Sequence, residues 1–229
     1  MKKEHKKYYI FEMDTIILNI GSIVLLVLLG FITYLIDKDA LFNSIELFDE
    51  KFPIFMLSLL GYLVLHELLH SLAYVIYGAK YDKITYGVAL EKGIFYCLCK
   101  QNISKKNILH SLMFPLFFIG IVTYVISLIF NYNILLWLSL FNLSGCIGDI
   151  IMFAYIVKLK NIEFSEMDNP IAFGIYSDYD VSKLNHFGLV YKESKDELER
   201  KDFKKINISK PSKYILILLI VLIIIMFLL

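Results

Sequence analysis

The sequence predicts an all-α polytopic membrane protein with about five transmembrane helices. A small β-hairpin is expected at the cytoplasmic face between helices 2 and 3. Three observations predict this. Of the 229 residues, 58% are hydrophobic, against ~45–50% in a soluble domain. The excess falls in long runs of Leu, Ile, Val and Phe, long enough to cross a hydrocarbon core. Lys and Arg are segregated between the runs in the pattern that orients membrane proteins.

Five apolar segments follow in order: 15–36, 53–77, 107–130, 133–157 and 214–229. The first comes after the basic start Met1-Lys2-Lys3-Glu4-His5-Lys6-Lys7. Its apolar run is longer than a signal-peptide core of ~7–15 residues and no small-residue cleavage site follows, so it reads as a retained helix. The last segment has 16 residues. At 1.5 Å per residue that is about 24 Å, short of a ~30 Å core, so it either spans with local thinning or anchors the tail. The expected organisation is a cytoplasmic N-terminus over 1–14, a four-helix membrane core over 15–157, a cytoplasmic segment over 158–213, and a C-terminal helix or anchor over 214–229.

Charge gives the orientation. Segments 1–14, 78–106 and 158–213 hold 21 of the 23 Lys and Arg residues, and the loop 37–52 holds the other two. That loop is acidic instead, with Asp37, Asp39, Glu46, Asp49 and Glu50. The predicted location is a cell membrane, multi-pass, with the N-terminus cytoplasmic. Net charge is only +1, so no basic field marks a nucleic-acid partner.

Between the second and third segments, 84–90 and 94–99 are rich in β-formers. Glu91-Lys92-Gly93 joins them, and three residues ending in Gly suit a hairpin with a bulge. Cys97 and Cys99 then share one strand face. With Cys146 they are the only cysteines, and an odd count without C-x-x-C argues against both a disulfide framework and a zinc ribbon. In the segment 158–213, residues 193–205 read as a charged helix. Residues 171–176 read as a small folded element or a linker on the bilayer.

An ionisable side chain at the centre of a spanning helix costs roughly 2.5–3.5 kcal/mol on insertion scales. The apolar segments carry five: His66, Glu67, His70, His110 and Asp149. Three of them form His66-Glu67-Leu68-Leu69-His70. Positions i and i+4 share a helix face, so both imidazoles can reach one metal ion, and the intervening Glu67 can act as general base on the attacking water. The competing reading is a buried polar cluster that pins helix packing, a task Ser or Asn performs at lower cost.

A catalytic zinc takes three protein ligands and leaves one position open. At 1.5 Å per residue, His66 and His70 lie about 20 and 26 Å below Pro53, and Asp149 lies about 24 Å below Asn133. Asp149 is therefore the expected third ligand. Gly145 and Gly148 flank it and permit close helix approach. Asn142, seven residues earlier, is placed to orient substrate or a ligand. Cys146 and His110 stay open as alternative ligands or supporting residues.

This His66-Glu67-Leu68-Leu69-His70 helix, with Gly148-Asp149 in a later one, resembles the site-2 protease type of intramembrane metalloprotease. More narrowly, residues 53–180 resemble the bacterial membrane family labelled putative zincin peptidases, including Asn142 to Asp149 and Asp168-Asn169-Pro170. The resemblance implies one Zn2+ per chain held by His66, His70 and Asp149, with Glu67 as catalytic acid/base. It also implies cleavage of membrane protein or peptide substrates in or near the bilayer. The pattern departs from the Asn-Pro-Asp-Gly signature of typical site-2 proteases, since Ile150 follows Asp149.

Two other functions fit an intramembrane metal site: a non-catalytic metal-binding scaffold, and a metal transporter. A purely structural site does not need Glu67, and the sequence shows no repeated halves of the kind common in transporters. The hairpin reads either as an edge that accepts a substrate strand or as a structural plug.

Overall fold

A computed structural model gives the fold and describes residues 7–43, 51–89, 94–101, 103–164, 172–181, 189–193 and 206–208. The helices are α1 (Thr15–Ile36), α2 (Lys38–Asn43), α3 (Phe52–Ile76), α4 (Lys105–Pro115), α5 (Val122–Phe130), α6 (Asn133–Gly145) and α7 (Ile147–Lys158). A π-helical stretch, Leu116–Ile121, joins α4 to α5. Among the described residues, α1, α3 and the Lys105–Phe130 run are long and apolar enough to cross a membrane. A fourth span exists if α6 and α7, bent by 40°, count as one. The expected segment 214–229 and the charged stretch 194–205 lie outside the described residues.

Each start and break has a local cause. Asp14 caps α1: its Oδ1 accepts from the Ile16 and Ile17 amides at 2.9 and 3.2 Å, satisfying two orphan donors. Pro53 sits in the first turn of α3, where its missing N–H costs nothing. Pro115 ends α4, because a proline ring cannot continue the ladder. Residues 107–130 and 133–157 read from sequence as continuous helices. The structure keeps the first as one helical run, Lys105–Phe130, with a π-helical stretch at Leu116–Ile121, and bends the second at Cys146.

The apolar side chains of α1, among them Ile20, Ile23, Val27 and Phe31, are exposed along its length. A helix apolar all round is covered by protein or lipid, and here protein covers one side only, where α1 packs on α6 and α7. Helix α3 packs on α4 and α6 through Phe55, Tyr62, Ile119, Leu135 and Leu138. Two interhelical hydrogen bonds supplement this packing: Tyr62 Oη donates to Thr123 Oγ1, and Thr33 Oγ1 pairs with Tyr124 Oη, both at 2.9 Å.

Two antiparallel sheets flank the helices. The first has strand order β4-β5-β1-β6, from β1 (Lys7–Met13), β4 (Ile162–Phe164), β5 (Ala172–Ser177) and β6 (Leu189–Glu193). Tyr9 and Phe11 of β1 point inward with Phe173 and Ile175 of β5, and join Tyr155, Ile156 and Leu159 at the end of α7 in one core. Residues 1–14 were expected as a tail and 171–176 as a small element or linker. In the structure, Lys7–Met13 and Ala172–Ser177 are neighbouring strands of this sheet, the second as a folded element.

The second sheet has order β3-β2-β7, from β2 (Ile84–Ala89), β3 (Ile94–Cys99) and β7 (Ile206–Ile208). Within the expected strands 84–90 and 94–99, Ile84–Ala89 and Ile94–Cys99 pair antiparallel, with Tyr86 opposite Cys97, and the expected connection Glu91-Lys92-Gly93 lies outside the described residues. Gly87 is required here, since any Cβ would overlap the Tyr96 ring laid across it. The two faces of β3 serve different cores. Tyr96 and Leu98 join the α7 core, while Cys97 and Cys99 pack with Tyr74, Ile84 and Tyr86 at the end of α3.

Candidate metal centre

Helix α3 carries His66, Glu67 and His70 across the bundle, and α7 carries Asp149 in its first turn. The break at Cys146 is what gives Asp149 this position, where the positive end of the helix dipole favours a carboxylate. His66 Nε2 lies 3.3 Å from Asp149 Oδ2, His70 Nε2 lies 3.5 Å from Asp149 Oδ1, and the two Nε2 atoms are 3.1 Å apart. Each residue offers a ligand atom within 4.8 Å of the other two, and among the described residues this is the one such group.

The second nitrogen of each imidazole fixes its tautomer. His70 Nδ1 is 2.9 Å from the Ser111 carbonyl, which can only accept, so Nδ1 carries the proton. His66 Nδ1 is 2.9 Å from Asn142 Oδ1. The Asn142 amide points that way because its Nδ2 donates to the Pro115 carbonyl at 3.3 Å and towards Cys146 Sγ at 3.8 Å. Both rings therefore turn Nε2 inward, against a carboxylate.

Three groups that can each offer a ligand atom thus converge, and a cation between them would satisfy all three. Ligand atoms 2.0–2.1 Å from a tetrahedral centre stand roughly 3.3 Å apart; the two Nε2 atoms, 3.1 Å apart, and each Nε2 with its nearer Asp149 oxygen, Oδ2 at 3.3 Å for His66 and Oδ1 at 3.5 Å for His70, are close to that spacing. Two imidazoles and one carboxylate are a zinc donor set. The residues fit the ion.

Glu67 lies beside this cluster. It is close enough to interact with the charges of His66 and Asp149, and it accepts a hydrogen bond from the backbone N–H of Cys97 on β3. Tyr86 of β2 faces Ser71 and lies within electrostatic range of the same carboxylate. Burial pushes the Cys97 and Cys99 thiols up from their usual range, and at Cys97 the neighbouring Glu67 charge adds to the effect. Neither thiol belongs to the ligand group.

The remaining expected residues fall in different places. Asn142 touches His66. Cys146 touches Asn142 and lies outside the ligand group. His110 also lies outside it: its ring stacks on Tyr77 with centroids 4.8 Å apart, and its Nδ1 is buried without a hydrogen-bond partner. Gly145 has no neighbour within 4 Å of an added Cβ, so close helix approach is not its role. Close approach occurs at Gly21, which meets Ile147, and at Gly120, which meets Leu143 and Asn142. Ser111, Pro115 and Cys97 escaped the sequence reading because they contribute backbone groups. Pro115 in an apolar helix was the visible signal, since proline frees the carbonyl four residues earlier.

Residues 59–163 match the family model described as putative zincin peptidase. The matched segment contains His66, Glu67, His70 and Asp149, and it supports a metallopeptidase. No curated protein and no solved structure matches the chain.

Proposed function

We propose that the protein is an intramembrane zinc peptidase that cleaves membrane proteins or peptides at a site within the bilayer. The observation that carries this reading is the convergence of His66, His70 and Asp149 beside Glu67, on helices whose outer faces are apolar.

His66 and His70 through Nε2, and Asp149 through its carboxylate, would hold the ion. When bound, zinc polarises the scissile carbonyl and lowers the pKa of water. Glu67 then takes the proton of the attacking water as general base and returns it to the leaving amine. The Cys97 amide holds the Glu67 carboxylate in place. That hydrogen bond also brings β3 against the catalytic residue, and among the described residues β3 pairs on one side only, with β2. Its other edge offers backbone groups to an extended substrate segment. A substrate helix must unwind there before its peptide bond can reach Glu67.

The sheets support the orientation read from charge. Strand β1 precedes α1 yet pairs with β5 and β6, which follow α7. Strand β7 pairs with β2, between α3 and α4. All of these segments then lie on one side of the bilayer, and they are the segments rich in Lys and Arg, which the positive-inside rule assigns to the cytoplasm.

The deciding experiment is metal content and cleavage of a membrane-peptide library by the detergent-purified full chain and its Glu67→Gln variant. The expected result is one zinc in each and cleavage lost by roughly 10²–10⁴-fold in the variant. Undiminished cleavage by Glu67→Gln would sink the mechanism, and bound zinc without cleavage in the wild type would leave a metal-binding scaffold.

A further inference from the structure

We propose that Pro115 is a positioning residue of the metal centre. It releases the Ser111 carbonyl from its own helix so that this carbonyl can aim His70 at the ion. The inference rests on the metal-binding reading above and concerns how the ligands are oriented.

In a regular helix, the Ser111 carbonyl accepts from the amide of residue 115. Proline has no such amide, and its ring crowds the carbonyl four residues earlier. Ser111 is fully buried and His70 nearly so, and a buried carbonyl without a donor is costly. His70 supplies the donor: its Nδ1–H reaches Ser111 O at 2.9 Å, and Ser111 Oγ donates back to the His70 carbonyl at 3.1 Å. The proline thereby commits His70 Nδ1 to donation and leaves Nε2 as the ligand atom.

The same residue touches the other imidazole by a separate route. The Pro115 carbonyl accepts from Asn142 Nδ2, and Asn142 Oδ1 accepts from His66 Nδ1. Gly120 of the π-helical stretch makes this reach possible, because a side chain there would crowd Asn142 Nδ2 and Leu143. The two routes are separable. Pro115→Ala restores an amide that competes for Ser111 O, but keeps the carbonyl that holds Asn142. The His70 route should fail while the His66 route survives. If Pro115 served only to bend the helix, its replacement would disturb both rings or neither.

The test uses the full chain in detergent, stripped of metal, with 15N-labelled histidine. Zn2+ is titrated against a competing chelator. For Pro115→Ala, zinc affinity should fall roughly 10- to 100-fold, as for other losses of a ligand's orienting partner. The zinc-free variant should melt no lower than wild type, because the helix regains a hydrogen bond. Its His70 signal should shift to a mixture of tautomers while His66 keeps Nδ1–H. Unchanged affinity would overturn the proposal. So would lost affinity accompanied by a lower melting temperature and a change at both histidines, which would mean that Pro115 acts on the fold. A wild type that takes up no zinc would overturn the metal-binding reading itself and this inference with it.

Discussion

Helix α1 and the helices around the metal centre solve opposite problems. Helix α1 runs unbroken from Thr15 to Ile36, carries no ionisable side chain and shows lipid a row of Ile, Val and Leu. Its backbone groups are spent on its own ladder, so beyond its ends it has none to offer a neighbour. The site-bearing helices are interrupted at Pro115, along Leu116–Ile121 and at Cys146. Those interruptions supply the Ser111 and Pro115 carbonyls and place Asp149 at a helix start. Within a bilayer no water can satisfy a freed backbone group. A break there persists only where protein uses it, and here the candidate metal ligands use it.

Substitutions can break or sharpen this contrast. The largest effect is expected from Asp149→Ala, which removes a ligand: zinc per chain, measured by elemental analysis, should drop from one to near zero. Asn142→Ala keeps all three ligands but frees His66 to rotate. Zinc affinity in a chelator competition should fall about 10- to 100-fold. Gly120→Ala places a Cβ 2.6 Å from Leu143 Cδ2 and 3.3 Å from Asn142 Nδ2. Overpacking of this kind costs about 1–3 kcal/mol, read as a lower melting temperature with a smaller loss of zinc affinity than Asn142→Ala. Val27→Leu, on the lipid face of α1, should stay within about 0.5 kcal/mol of wild type. If Val27→Leu destabilised the chain more than Gly120→Ala, the contrast between the two regions would be wrong.

What the sequence disclosed follows the same division. The bounds of α1 were legible to the residue, because hydropathy alone sets them. His66, Glu67 and His70 stood out because ionisable groups in an apolar helix are costly, and Asp149 followed from its depth. Of the interruptions, only Pro115 left a signal in the sequence. Cys146 breaks a helix without a proline, and a π-helical stretch has no residue pattern of its own. Strand β1 was also missed. Tyr8-Tyr9-Ile10-Phe11 has the composition of a strand, but its partners lie more than 160 residues away, as in the pairing of Phe11 with Phe173. No local turn announces such a pairing. The sheet of Cys97 was found because Glu91-Lys92-Gly93 announces its turn, while its hydrogen bond to Glu67 involves an amide that any residue other than proline would provide.

The pairing of β1 also constrains how the protein is made. This strand leaves the ribosome before its partners, and β6 is completed at Glu193, 184 residues after the opposing Tyr9. At ~5–20 residues per second that is a wait of roughly 10–40 s before both edges of β1 are paired. The sheet can close only after every intervening helix has been threaded in the correct direction, because a single inverted helix would leave its strands on opposite sides of the membrane. Closure of the β4-β5-β1-β6 sheet therefore acts as a latch on completed insertion.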